Sequence, residues 1–199
     1  MKIGILAVQG DFEAHAIMLK SLGAETVEVR RVADLEGCDG IILPGGESTT
    51  QLQFLQEEGL YDAIRKFSAE RRPVFGTCAG AILLATRVRN PDQESLGLLD
   101  MTVSRNGYGR QLASDVFFGP TELKKDPLEM VFIRGPIIES VAPGVQVLAQ
   151  HNGKPTLVQK GNLLAATFHP ELTDDPTVHR HFLRMAAGQG AESAEARQN

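Results

Sequence analysis

Lys2–Val8 (KIGILAV) is a short, nearly continuous apolar run, the pattern of a strand buried on both faces. Asp11 then stands where it can cap a helix with an apolar face of Phe12, Ala16 and Leu19, ending at Gly23. Thr26–Arg30 and Gly40–Leu43 are the next strands, the second stopped by Pro44-Gly45-Gly46. Ser48-Thr49-Thr50-Gln51 has the form of a capping box, so a helix should start there. A further helix, about Leu60–Glu70, precedes a strand over Pro73–Gly76. This alternation predicts an α/β domain with a parallel sheet and helices on both faces.

The second half changes period. Gly97–Ser104, Asp115–Phe118, Glu129–Ile133, Val145–Gln150, Thr156–Lys160 and Asn162–Phe168 read as short strands between Gly, Pro and Asn turns. Some should extend the main sheet and some should form a small antiparallel addition. Asp175-Pro176 then opens a closing helix with an apolar stripe of Val178, Phe182, Met185 and Ala186. The expected organisation is one domain over residues 1–187 and a polar, aperiodic, disordered tail over 188–199.

Composition narrows the function classes. A length of 199 residues suits one domain that needs neither disulfides nor a metal to fold. The net charge of −5 offers no basic excess for nucleic acid or an anionic membrane. Cys38 and Cys78 are forty residues apart, so no C-x-x-C zinc or redox pair exists. The longest low-polarity stretch, Phe75 to Ala85, is far short of the about 20 residues a membrane span needs. The expected address is the cytoplasm, where cysteines remain thiols.

Cys78 lies in Gly76-Thr77-Cys78-Ala79-Gly80, between a strand and an apolar stretch. Glycines two before and two after it fit a tight strand–turn–helix elbow. Such an elbow holds the sulfur beside unpaired backbone N–H groups, which favour the thiolate and can stabilise an oxyanion, Ala79 first. The competing reading is a small buried hydrophobe. Cys38, lacking any such setting, reads as structural.

His169-Pro170-Glu171 closes an apolar strand. Proline favours an extended backbone at His169, which would put Glu171 on the same side, able to orient the imidazole as a base. The pair should project from the sheet's edge; alone, the motif reads more readily as a solvated turn, and the cysteine elbow reverses that balance. His15 is expected to be half-buried, packing or facing a partner. His179 and His181 are expected to be mostly solvated, and His151 to sit in a turn.

Leu43-Pro-Gly-Gly-Glu-Ser-Thr-Thr50 also joins a strand to a helix, and its glycines let backbone approach a ligand. It lacks the lysine and spacing of a phosphate-binding P-loop, and no G-x-G-x-x-G follows the first strand. Arg105 and Arg134 each follow a strand and can hold a carboxylate, or form surface ion pairs.

Together, Gly76–Gly80, Pro44–Ser48 and Phe168–Glu171 resemble the class I, or triad, glutamine amidotransferases, in the chain order Cys, His, Glu. From Gly4 to about Phe182 the chain is most similar to the glutaminase subunits of pyridoxal 5′-phosphate (vitamin B6) synthases. The segments that carry this are Gly4–Gly10, Leu43–Thr50, Phe75–Gly80, Gly109-Arg-Gln111, Val131–Arg134, His151-Asn-Gly153 and Phe168–Thr173. The resemblance implies a single-domain amidotransferase-like α/β fold that needs no cofactor or metal. It implies that Cys78 attacks the glutamine amide, forming a glutamyl thioester and releasing ammonia, while His169 shuttles the proton and Glu171 orients it.

By the same resemblance, Gly46, Glu47, Ser48, Arg105, Ile133 and Arg134 line the glutamine pocket. Gly46 and Ala79 are the oxyanion donors, and the Gln9-Gly10 loop is remodelled when a partner docks. That partner is a (β/α)8-barrel synthase, in a complex of twelve plus twelve subunits, which takes the ammonia through a tunnel. The alternatives are another amidotransferase's glutaminase, such as that of imidazole glycerol phosphate synthase, or a Cys-elbow hydrolase or redox sensor. Two residues depart from the pattern: Gly135 stands where alanine is usual and Gly107 replaces a larger residue, both expected to loosen the pocket.

Overall fold

A computed structural model of the protein describes residues 1–106 and 115–188. The segment around Gly109-Arg110-Gln111, with Gly107, and residues 189–199 of the tail lie outside the described residues. In chain order the first half runs β1 (Lys2–Leu6), α1 (Phe12–Ser21), β2 (Glu25–Val29), β3 (Gly40–Leu43), α2 (Ser48–Glu57), α3 (Leu60–Ala69), β4 (Val74–Thr77) and α4 (Ala79–Leu84). The second runs β5 (Ala85–Arg89), β6 (Leu99–Ser104), β7 (Asp115–Gly119), β8 (Leu128–Phe132), β9 (Ile137–Val141), β10 (Gln146–His151), β11 (Lys154–Lys160), β12 (Leu163–Ala166) and α5 (Thr177–Ala186).

The main sheet has seven strands in the order β10-β11-β12-β4-β3-β1-β2. Five neighbours, β12 through β2, are parallel, and β11 runs antiparallel to both β10 and β12. Successive residues of the central strands feed two different cores, which is why these strands read as continuous apolar runs. Leu6, Ile41, Leu43 and Val74 pack with Leu52, Leu55, Ile64 and Phe67 of α2 and α3. Ile5, Ile42 and Phe75 pack on the other side with Leu19 of α1 and Phe182 of α5. The smaller sheets β5-β6-β9 and β7-β8 form the addition, but it is not wholly antiparallel as expected: β5 and β6 pair parallel, whereas β6-β9 and β7-β8 are antiparallel.

Two strands were not legible in the pattern. α4 ends at Leu84 and the chain turns straight into β5, where Arg87 and Arg89 hide the strand signal. Among the described residues β9 pairs only with β6, so its exposed Glu139 and Ser140 break the apolar alternation. The caps also differ from expectation. Asp11 makes no capping hydrogen bond. Glu47, one residue before the expected cap, accepts from the Thr49 and Thr50 N–H groups at 3.1 and 3.0 Å. A longer side chain one residue earlier reaches the same orphan donors, and Gln51 instead donates to the carbonyls of Pro44 and Gly45.

The close approach of α4 to the sheet depends on two glycines. A Cβ on Gly80 would lie 1.9 Å from the Leu43 carbonyl oxygen of β3, and one on Gly76 would lie 2.4 Å from the Gly80 carbonyl oxygen. Both obstacles are backbone, which cannot swing aside. Gly80→Ala is therefore expected to destabilise the fold by about 2–3 kcal/mol, lowering the thermal midpoint by about 5–10 °C. Calorimetry showing an unchanged midpoint would mean that β3 yields to the added methyl.

Candidate active site

Cys78 occupies the turn between β4 and α4 with φ 48° and ψ −102°, a conformation that costs a non-glycine residue about 1–3 kcal/mol. Its N–H donates to the Ala166 carbonyl of β12 at 2.9 Å, which ties the turn to the next strand. The residue is buried, with 8% of its surface exposed. Cys38 is buried against Gly4, its thiol 3.4 Å from the Asp34 carbonyl, and burial pushes its pKa up. That is the structural role expected of it.

His169 follows β12, and its N–H donates to the Val131 carbonyl of β8 at 2.8 Å. Its Nδ1 lies 2.8 Å from Glu171 Oε1. The backbone reaches this pairing differently from the extended course expected, because Pro170–Leu172 form a single 3-10 turn. Nor does the pair project from the sheet's edge. β12 is an interior strand, and His169 and Glu171 are both buried at its C-terminal end.

His169 also has Cys78 as a hydrogen-bonding neighbour, beside the Glu171 contact that Nδ1 makes. Burial opposes a charge on the imidazole, but the bonds to Cys78 and Glu171 outweigh it and raise His169 to about 10. Burial raises Glu171, with the His169 contact opposing. Asp11 adds a second carboxylate nearby: one ligand-type atom each of Asp11, His169 and Glu171 lies within 4.8 Å of the others. Among the described residues this is the one cluster with metal-like spacing, and His169 and Glu171 spend facing atoms on each other.

The loop after β3 lies against this pair. A Cβ on Gly45 would meet His169 Cε1 at 2.4 Å, so the glycine lets the loop run directly along the imidazole. The Gln9-Gly10 turn packs on the same loop, with Gln9 Nε2 donating to the Glu47 carbonyl at 3.1 Å. Gly46 has φ +139° and stands beside Gln9. Arg105 Nη2 bonds Glu47 Oε1 at 2.8 Å and Thr49 Oγ1 at 3.1 Å. The Ser48 hydroxyl donates to Gln93 Oε1 at 2.9 Å. Thus the Glu47 side chain serves as cap and clamp.

Ile133 and Arg134 are exposed at the end of β8, and Arg134 has φ 47°. Gly135 does not loosen this corner, because a Cβ there would sit 2.5 Å from the Thr167 carbonyl oxygen.

The remaining histidines depart most from expectation. His15 and His179 are wholly buried, with His15 Nδ1 2.8 Å from His179 Nε2. Each comes from a helix face turned to the sheet, where Phe75 meets both rings edge-on. His181 is half-buried and bonds Gln159 Oε1 at 2.6 Å. His151 ends β10 rather than sitting in a turn, its ring centroid 3.9 Å from that of Phe117. Single-chain periodicity carries no signal for which helical histidine faces another.

Three comparisons accord with this geometry. Residues 5–188 match the SNO glutamine amidotransferase family. The chain is 52% identical over 185 residues to the pyridoxal 5′-phosphate synthase subunit PdxT of Koribacter versatilis, covering 93% of this chain and 95% of that one. It is 50% identical over 186 residues to PdxT of Thermotoga neapolitana, covering 93% and 99%. A solved structure described as a glutamine amidotransferase superposes with a TM-score of 0.88 at 45% identity, over 93% of this chain and 98% of that one. The fold, the elbow and the extent of these matches lead to one conclusion: the chain belongs to the SNO glutamine amidotransferase family.

Proposed function

We propose that this chain is the glutaminase subunit of a pyridoxal 5′-phosphate synthase, and that Cys78, His169 and Glu171 hydrolyse L-glutamine to L-glutamate and ammonia. The observation that carries the reading is His169, bonded to a strained cysteine on one side and to a buried carboxylate on the other. The relatives PdxT share half their residues with the chain over nearly its full length, which supports the synthase assignment.

The chemistry follows from proton positions. With its pKa raised to about 10 by Cys78 and Glu171, His169 holds the proton at neutral pH and leaves the sulfur as the nucleophile. Sγ attacks the side-chain amide carbon, and the carbonyl oxygen becomes an oxyanion facing the N–H groups of Gly46 and Ala79. His169 passes its proton to the departing nitrogen, the C–N bond breaks, and ammonia leaves behind a glutamyl thioester. Water then attacks the thioester, giving its proton to His169 as glutamate departs and the sulfur is restored.

Gly46, Glu47, Ser48, Arg105, Ile133 and Arg134 line the glutamine pocket in this reading. Arg105 is held by Glu47 in a half-exposed pair, which leaves guanidinium N–H groups for the substrate carboxylate. The packing of Gln9-Gly10 on Gly45-Gly46 supports a loop that re-forms on docking and completes the oxyanion site. The partner is a (β/α)8-barrel synthase that consumes the ammonia, in a twelve-plus-twelve assembly, and the address is the cytoplasm. Among the described residues no helix is long and apolar enough to cross a membrane.

Glutamate release, measured with the barrel synthase present, is expected to vanish in Cys78→Ala, and a residual rate would overturn the role of the sulfur. In Glu171→Gln, turnover should fall about a hundredfold or more, by analogy with neutralising the acid of a serine triad. Losing the carboxylate removes one of the contacts that raise His169, so its pKa falls and the imidazolium is lost at lower pH. The alkaline limb of the kcat/KM profile should accordingly move to lower pH. A profile that stays in place would mean that Glu171 does not act on His169.

A further inference from the structure

Glu171 presents only Oε1 to His169. Its other oxygen, Oε2, is buried without a well-aligned hydrogen bond among the described residues. The contact the structure gives it is His15 Nε2, at 3.3 Å, where the side chains of both residues have no solvent exposure. A buried carboxylate oxygen without a donor is costly. The same Nε2 lies 3.2 Å from the Thr77 hydroxyl oxygen, one residue before Cys78.

We infer that His15 is a positioning residue of the glutaminase site: its Nε2–H serves Glu171 Oε2 and Thr77 Oγ1 together, and His179 behind it selects the tautomer that can do so. The inference rests on the proposed reading of Cys78, His169 and Glu171 as the reacting triad.

The tautomers follow from which atoms face which. If His15 carried its hydrogen on Nδ1, a bare Nε2 lone pair would face the carboxylate, and the hydrogen would point at His179 Nε2. His179 would then hold its hydrogen on Nδ1, a buried atom with no partner among the described residues. The opposite arrangement avoids both faults. His179 Nε2–H donates to His15 Nδ1 over 2.8 Å, and His15 Nε2–H faces Glu171 and Thr77. Only a lone pair on His179 Nδ1 is then left without a partner, the cheaper of the two orphans.

Burial lowers the pKa of both rings, His15 further through His179 and His169, which keeps the two neutral as this arrangement requires. Every hydrogen in the row then points toward the triad: His179 to His15, His15 to Glu171, His169 to Glu171. The row fixes both oxygens of the acid, and so the plane in which it holds His169. α1 and α5, which contribute these histidines, thereby brace the site from behind the sheet.

The test compares wild type, His15→Phe and His15→Gln in complex with the barrel synthase. Phenylalanine keeps a ring but removes the donor, whereas the glutamine amide nitrogen can stand near the place of Nε2. His15→Phe is expected to lower kcat at least tenfold with KM within twofold, and His15→Gln to recover to within threefold of wild type. Alkylation of Cys78 by iodoacetamide should slow severalfold in the Phe variant and recover in the Gln variant.

Should Phe at position 15 fail to fold, His15→Met takes its place against His15→Gln. Equal kcat in the donor and non-donor variants would overturn the inference, as would failure of every variant to fold, which would assign His15 to packing. A wild type silent toward glutamine even with the synthase would sink the proposed function instead. The alkylation rates would still decide whether His15 acts on the Cys78–His169 pair.

Discussion

The contact on which the site depends is the approach of α4 to the β3 and β4 backbones. It is close enough that a single methyl on Gly80 would overlap the Leu43 carbonyl oxygen. Because α4 begins one residue after Cys78, this contact forces the turn into φ 48° and lifts the sulfur above the C-terminal end of the sheet. The hydrogen bond from Cys78 N–H to Ala166 then sets β12 alongside, and three residues further on β12's chain delivers His169. Two parallel neighbours, joined by about ninety residues of intervening chain, thus bring Cys78 and His169 to adjacent strand ends. Open α/β sheets place ligands at that end as a rule.

Electrostatics of the site is governed by burial on one side only. His169 and Glu171 are almost fully enclosed, yet the Gly45-Gly46 loop passes over the imidazole with no side chain between. Burial lets the short bond between them act in a low-dielectric setting, where it raises the imidazole despite the cost of holding charge there. The three glycines, Gly10, Gly45 and Gly46, let two turns from different strands meet next to the His169 ring. A Cβ on Gly10 would lie 1.8 Å from the Gly45 carbonyl oxygen. A rearrangement of one turn is therefore felt by the other.

Much of this was legible in the chain. Continuous apolar runs at Lys2–Val8 and Gly40–Leu43 report strands covered on both faces, because burial there leaves no polar alternation. The glycines flanking Cys78, and the Pro44-Gly45-Gly46 and His169-Pro170-Glu171 segments, locate the site, since backbone close approach and chain reversal permit few residue types. What could not be read was the partner of each side chain. Glu47 took the cap expected of Ser48 because its carboxylate reaches from one residue earlier. β5 and β9 were hidden because among the described residues each pairs with β6 alone and keeps polar residues outward.

His15 and His179 mark the limit most plainly. They lie 164 residues apart on two helices, where the sequence reads His15 as half-buried and His179 as mostly solvated. Only when α1 and α5 pack on the same side of the sheet do the rings meet, beside Phe75 and behind Glu171. The sequence by itself determined the α/β class, the cysteine elbow and the histidine–glutamate pair, because those depend on local backbone demands and short-range periodicity. The tertiary structure alone decided which polar groups share the interior, because a hydrogen bond depends on positions in space that distant segments acquire only when they pack together.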